Sequence, residues 1–329
     1  GCLMRKYAIV ILLLICSAVL FGTEKIMLYT SVPTEIMTAI ADAFMAANPG
    51  IELEVFRSGT GTIQTKLAAE VQSGNIQADV LWVAEFSYYE TLKKQGLLAQ
   101  IYPEEASALP ENFKDPEGYY YAGRLINMVI AYNTKALTPE TAPKSWKELT
   151  DEKWYDNYVV PNPEYSGAAV AAVGALAKKY GWKYFEDLRK NEAVVVRGNS
   201  DVAQKVAAGE FPIGMTLDYI ARDLNVKGSP IDIIYPTDGT IAIPSPIAIL
   251  KSSQKMEAAM KFVNYILSID GQKAQVELGS LVPVRSDVNP PANTPPAGEI
   301  LGQAMEIDWK YIEEGLAEIN ANFSDIMLF

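Results

Sequence analysis

The hydrophobic period of this chain switches repeatedly between strand-like and helix-like along most of its length, and that alternation argues for an α/β fold. Short apolar strands are expected at 26–29, 51–56 and 78–83, with helices at 34–48, 62–73 and 87–95 between and after them. In the first of these helices Ile36, Ile40 and Phe44 share one face, and Asn48-Pro49-Gly50 ends it. A second unit begins near Tyr120, with a strand at 125–132, a short helix at 146–149, a strand at 158–160 and an Ala-rich helix at 168–180. Strands at 193–197 and 213–217 flank a helix at 201–208, capped by Asn199-Ser200. Two short strands, 241–243 and 247–250, flank Pro244-Ser245-Pro246; helices follow at 256–267, 271–278 and 299–321. The Pro-rich stretch 289–296 reads as a rigid connector within one body.

The first thirty residues read as an address. Met4-Arg5-Lys6 is basic and the run 8–21 is almost wholly apolar, which matches the charged and apolar regions of a secretory signal covering 1–23. Gly1-Cys2-Leu3 stand ahead of the Met and read as a remnant. The apolar run is shorter than the ~20 residues a spanning helix needs. Gly22 suits a cleavage position but Leu20 does not, so a retained anchor stays open. So does lipid attachment through Cys16, against which the bulky Ile15 stands.

Both cysteines lie in the first sixteen residues and histidine is absent. A processed chain therefore has no disulfide scaffold, no cysteine nucleophile and no His-based triad, zinc site or general base. Loss of Arg5 and Lys6 leaves 26 basic against 40 acidic side chains, a net charge of −14. Nucleic acid and anionic lipid would repel such a body, which is expected to be soluble and dispersed. About 300 residues suffice for two lobes with separate cores.

Four strand-to-helix junctions share one design of small residues and hydroxyls: Thr30-Ser31, Ser58-Gly59-Thr60-Gly61-Thr62, Ser166-Gly167-Ala168 and Asn199-Ser200. A helix N-terminus carries unpaired N–H groups and about half a positive charge, so it holds an oxyanion without a Lys. Taken one at a time they read first as ordinary N-caps; four across two lobes point to a cleft. Near predicted strand ends stand Glu85, Arg124, Tyr132, Arg197, Asp218 and Tyr219. Arg197 would fork onto an oxyanion or serve as a surface cation. Asp218-Tyr219 would meet an amine, hydroxyl or metal, or form a cap followed by a packed Tyr.

Over nearly the whole processed length the chain resembles the extracellular solute-binding proteins of ABC importers, in the type II class that includes ferric-ion binders. The matching pieces, in order, are 26–31, Ala46-Ala47-Asn48-Pro49-Gly50-Ile51, Arg57-Ser58-Gly59-Thr60-Gly61, Ala78-Asp79-Val80 and Gly96-Leu97-Leu98. They continue with Val129-Ile130-Ala131-Tyr132-Asn133, Ser166-Gly167, Gly209-Glu210-Phe211-Pro212-Ile213, the run 242–247, and 259–267 with Gly271-Gln272. The resemblance implies two α/β lobes on a hinge of crossing strands, with 24–122 and 242–298 in one lobe and 123–241 and 299–329 in the other. It implies a periplasmic or extracytoplasmic monomer that closes on a small anionic solute and docks on a membrane permease. No catalysis, resident cofactor or nucleic-acid partner is implied. A ligand sensor sharing the same fold is the other role.

In ferric binders the region matching Ser166-Gly167-Ala168 with Asn199 holds a phosphate, so an oxyanion site carries over. Adjacent tyrosines in those binders are replaced here by Tyr219-Ile220. Relatives that bind sugar phosphates or aminophosphonates use a Ser-Gly-Thr-Gly loop and a carboxylate instead, and Asp218 beside Tyr219 fits that version better. The expected ligand is a phosphorylated or phosphonate-type anion; Fe(III) held by Tyr219 and Asp218 with a phosphate is the alternative. The expected ligand-binding set is Ser31, Ser58, Gly59, Thr60, Glu85, Ser166, Gly167, Ala168, Arg197, Asn199, Asp218 and Tyr219.

Overall fold

The computed structural model describes residues 23–329, so the secretory-signal reading and Cys16 lie outside the described residues. Strand β1 (Glu24–Thr30), helix α1 (Thr34–Ala47), β2 (Ile51–Arg57), α2 (Thr60–Ser73), β3 (Val80–Trp82) and α3 (Ser87–Lys94) follow in order. A long β4 (Tyr121–Asn133) comes next, then β5 (Tyr158–Pro161), α4 (Gly167–Tyr180), α5 (Lys183–Lys190), β6 (Val194–Val196) and α6 (Asn199–Ala208). The chain continues through β7 (Ile213–Leu217), α7 (Asp218–Val226), β8 (Ile231–Ile234) and β9 (Ile241–Ile249). It ends with α8 (Met256–Leu267), α9 (Ile269–Gly279), α10 (Ala297–Gly302) and α11 (Trp309–Met327).

The strands form a single sheet in the order β2-β1-β3-β9-β4-β7-β5-β6, with β8 pairing on β4. Parallel βαβ units occupy both ends, as β1 with β2 and β3, and β5 with β6 and β7. The two halves are joined where β4 and β9 cross antiparallel, with an irregular register between Ala122 and Arg124. That arrangement makes two lobes. Aromatic packing anchors each: Phe44 on Phe262 at 5.0 Å in the first, Phe185 on Phe323 at 5.6 Å in the second.

Several elements differ from the periodicity reading. Strand β9 runs unbroken through Pro244-Ser245-Pro246. Leu125 pairs with Pro244 yet donates its N–H to Val282 O at 3.1 Å, so this is a pair without ladder bonds, and the donor that Pro244 lacks is not needed by β4. The expected helix 299–321 is two helices. Met305 N donates to Thr240 O at 2.8 Å, which pulls the segment out of helical bonding, and Asp308 recaps α11 by accepting from Tyr311 N at 2.9 Å. The segment near 146–149 is a 3₁₀ turn at Lys147–Thr150.

Helix α4 explains its own composition. Residues 167–177 are buried at every position, between the sheet and α11. A Cβ on Gly174 would come within 2.7 Å of Ile312 Cγ1, so only small side chains let the two helices approach. Helix α11 packs on α4 and α5 and reaches across to α3 of the first lobe, where Trp309 lies 4.9 Å from Phe86 and Lys94 pairs with Glu313.

Candidate ligand-binding cleft

Three helices start at the gap between the lobes, because each follows a strand that ends there. They are α2 from the first lobe and α4 and α6 from the second, and their first residues Thr60, Gly167 and Asn199 all line one cavity of about 160 Å³. The second-lobe wall is tightly bonded. Ser166 caps α4 by accepting from Ala169 N at 3.2 Å and also accepts from Asn199 Nδ2 at 2.8 Å. Asn199 is held in turn by Thr216, whose hydroxyl donates to its carbonyl at 2.8 Å. Gly198 starts α6 with its N–H on Asp201 Oδ2 at 3.1 Å.

The first-lobe wall is less connected. Ser31 Oγ accepts from Ala84 N at 3.1 Å, and Gly59 brings the backbone into α2. Thr60 Oγ1 is buried without a hydrogen-bond partner, as is Asn199 Oδ1 on the facing wall. Native interiors satisfy nearly all such groups, so two orphans on residues that line one cavity stand out.

Arginines complete the lining. Arg57 donates from Nε to Val32 O at 3.2 Å and Arg197 stacks over the Tyr165 ring at 4.1 Å. Arg124, on β4, donates from Nε to Ser245 Oγ at 3.2 Å and from Nη1 to Tyr219 OH at 3.3 Å. Among the described residues none of the three has a carboxylate within ion-pair distance. The Tyr219 phenol is pushed up by burial, with Arg124 pulling the other way.

Nine of the expected residues thus meet at the cavity: Ser31, Gly59, Thr60, Ser166, Gly167, Ala168, Arg197, Asn199 and Tyr219. Three stand elsewhere. Ser58 donates its N–H to Thr30 O at 3.2 Å as the chain turns into α2. Glu85 is buried behind the wall, where its carboxylate accepts from Ser87 N at 2.9 Å and Gln64 Nε2 at 3.2 Å, and burial pushes it up to about 7. Asp218 is turned into the sheet, paired with Arg222 at 2.8 Å and bonded by Asn127 N and Nδ2 at 3.2 and 3.1 Å. Its charge is spoken for, which removes it both as a reader of a ligand amine and as a partner of Tyr219 on a metal.

Arg57, Arg124, Tyr165 and Gly198 line the cavity without having been assigned to the site from sequence. For Arg124 a signal exists in the sequence: it is a charged side chain directly ahead of the apolar run 125–132. Tyr165 carries no such signal, since it lies in the loop before α4.

The glycines of these junctions serve close approach between the lobes. A Cβ on Gly61 would fall 2.0 Å from Glu164 O, on Gly59 2.5 Å from the Tyr165 ring, and on Gly167 2.6 Å from Glu85 Cβ. Gly61 N donates to Tyr165 O at 3.3 Å. These glycines let lobe meet lobe, so the two walls are in contact across the cleft.

Comparison with known proteins places this two-lobed fold in a family. The family described as "Bacterial extracellular solute-binding protein" matches residues 39–299. The chain belongs to this family. A relative in Salmonella typhimurium, named "Putative 2-aminoethylphosphonate-binding periplasmic protein", is 30% identical over 266 residues, covering 76% of this chain and 74% of its own. The "Major ferric iron-binding protein" of Neisseria meningitidis serogroup B is 26% identical over 293 residues, 84% of this chain and 85% of its own. Among solved structures, the periplasmic binding protein AfuA of Actinobacillus pleuropneumoniae, with fructose-6-phosphate bound, superposes with a TM-score of 0.84 at 21% identity, over 94% of this chain and 100% of its own. This extracellular solute-binding protein therefore has the type II periplasmic fold, and serves an ABC importer by presenting a captured small solute to its permease. Its family consists of binding proteins rather than enzymes.

Proposed function

We propose that the cleft captures a small phosphoryl- or phosphonate-type dianion. The observation that carries this reading is the convergence of three helix N-termini and three arginines without carboxylate partners on one cavity. Each N-terminus favours negative charge and each guanidinium offers a planar pair of donors suited to a tetrahedral oxyanion. Ser166, Gly167, Asn199 and Thr60 would hold the anion, with Arg57, Arg124 and Arg197 adding charge. Size narrows the class. A cavity of roughly 150 Å³ takes a molecule the size of benzene, so about 160 Å³ suits a ligand such as 2-aminoethylphosphonate better than a hexose phosphate. The printed name of the Salmonella relative agrees with that choice.

The Fe(III) alternative has Tyr219 and the Neisseria relative in its favour. Hard Fe(III) asks for several anionic oxygens, and among the described residues no group of three or more acidic, Cys or His side chains could hold a metal. Tyr219 faces Arg124, and Asp218 is committed to Arg222.

In the proposed cycle the open protein exposes both walls, and contacts to both offset the cost of closing, so the ligand shifts the hinge equilibrium. The lobes would divide at 122/123 and 241/242, inside the crossing strands, with 299–329 added to the second lobe. The protein would act as a monomer, without a resident cofactor, with lipid attachment through Cys16 as the form of anchoring if the signal is so processed. The test is a thermal-shift and calorimetric comparison of 2-aminoethylphosphonate, inorganic phosphate, fructose-6-phosphate and Fe(III). Strong stabilisation by the phosphonate without a visible tyrosinate–iron band supports the reading. A coloured, Fe(III)-stabilised protein indifferent to phosphonate overturns it.

A further inference from the structure

Arg124 differs from the other two arginines of the cleft in one respect: it has no access to water. Arg197 is exposed and Arg57 half-exposed, whereas Arg124 is 1% exposed. Its guanidinium carbon lies between the Trp82 ring of the first lobe, 5.1 Å away, and the Tyr219 ring of the second, 5.3 Å away. Its two hydrogen bonds, to Ser245 Oγ and Tyr219 OH, go to neutral oxygens. A guanidinium has five N–H donors and keeps its proton in any protein setting, so it cannot relieve burial by becoming neutral as a Lys or carboxyl would. Ring faces and hydroxyls compensate part of the lost hydration; an unpaired buried charge remains unfavourable.

The position of this charge gives it a role. Arg124 sits on β4 at the irregular register with β9, and Ser245, which it contacts, is on β9 and donates on to Val83 O at 3.0 Å. The residue therefore touches both crossing strands and one aromatic ring from each lobe. Opening the lobes separates Trp82 from Tyr219 and lets water reach the guanidinium. Closing strips that water, and only a negative ligand in the cavity replaces it.

The geometry points to Arg124 as the residue that makes closure conditional on ligand charge. This deepens the anion-binding reading and rests on it. Without an anion the closed form holds a desolvated lone cation, so the empty protein stays open. With a phosphoryl or phosphonyl dianion the same charge becomes the strongest tie across the cleft. Neutral solutes of the right size fill the cavity without relieving Arg124, and Fe(III) alone is repelled by it. Arg124 thereby sets specificity through the hinge as well as by contact.

The experiment measures the ligand-free state. Small-angle scattering and intrinsic tryptophan fluorescence are recorded for the parent, Arg124→Met and Arg124→Gln, alone and with 2-aminoethylphosphonate or inorganic phosphate. The parent is expected to be open when empty and to contract with ligand. Both variants are expected to be contracted without ligand, with radii of gyration equal to the liganded parent, and with anion affinity lower by roughly 10- to 100-fold, the loss of one charge-assisted bond. An empty parent that is already closed, or neutral variants as open as the parent, overturns the inference. If either neutral variant is unfolded by circular dichroism, the other decides. Failure of the anion reading is visible separately: the parent would then bind neither phosphonate nor phosphate, while the comparison of empty parent with empty variants still reads the effect of the charge.

Discussion

The two walls of the cleft are built on opposite plans. On the second lobe, Ser166, Asn199 and Thr216 form a bonded chain in which each polar group fixes the next. On the first lobe the corresponding polar groups, Ser31, Arg57 and Thr60, bond within their lobe only to backbone or, for the Thr60 hydroxyl, to nothing, and do not bond to one another. A site whose donors are locked before the ligand arrives loses little freedom on binding. The contrast therefore assigns the parts: the second lobe is a pre-organised cradle that captures the anion, and the first is a cover that closes over it. Glycines at the cover are there for lobe contact, since Gly59 and Gly61 face Tyr165 and Glu164.

The strongest attack on this contrast removes the cradle. Replacing Ser166→Ala together with Asn199→Ala is expected to weaken binding of 2-aminoethylphosphonate by about 3–6 kcal/mol, on the scale of two charge-assisted hydrogen bonds. Titration calorimetry reads it, and parent-like affinity in the double variant would sink the cradle assignment. Thermal stability should fall by only about 1 kcal/mol, for the lost cap of α4.

A second test uses the carboxyl trapped behind the wall. Glu85 rises from the ordinary 4.5 to about 7 because burial disfavours its charged form. The protonated carboxyl suits the folded protein, so its stabilising share is complete below pH 4.5 and is lost as pH climbs through 7. The difference amounts to about 3 kcal/mol. Glu85→Gln is expected to unfold at higher temperature than the parent at pH 8 and at nearly the same temperature at pH 4.5. Equal behaviour at both pH values would show that Glu85 is not desolvated.

The smallest expected effect separates cover from cradle most cleanly. Gly61 lies inside α2, where Ala is the better helix former by about 1 kcal/mol. A methyl group there meets Glu164 O in the closed form. Gly61→Ala is therefore expected to keep or raise thermal stability while weakening ligand binding by about 1–3 kcal/mol, the usual cost of overpacking. Calorimetry beside a melting curve checks both halves. Unchanged affinity would mean the lobes need not approach this closely to hold ligand.

What was legible in the sequence follows from what is local. Strands and helices announce themselves by period, and the junctions at Ser166-Gly167 and Asn199 by the residues that helix starts require. The destinations of the two strand-end carboxylates were not legible. Asp218 and Glu85 both precede or open a helix, but Asp218 turns inward to Arg222 on the next helical turn, and Glu85 is held by Ser87. Gly61 was readable as a glycine needed for close approach. That the approaching atom is a carbonyl about a hundred positions later depends on how the lobes meet. Tyr165 and Arg57 entered the cavity in the same long-range way.

The order of the sheet also bears on how the chain reaches this state. Strand β9 fills the middle, between β3 and β4, yet it is the last strand in sequence. Its pairing with β3 joins residues far apart in the chain, Val80 with Ile249 and Trp82 with Ile247. Contacts so distant along the chain are slow to form, because the entropy of closing the loop must be lost first. The two halves can collapse early as separate fragments, each with an open edge, but the join between them waits for residue 249. A chain lacking its last eighty residues would retain the central strand but not α8, the following helix that packs against it.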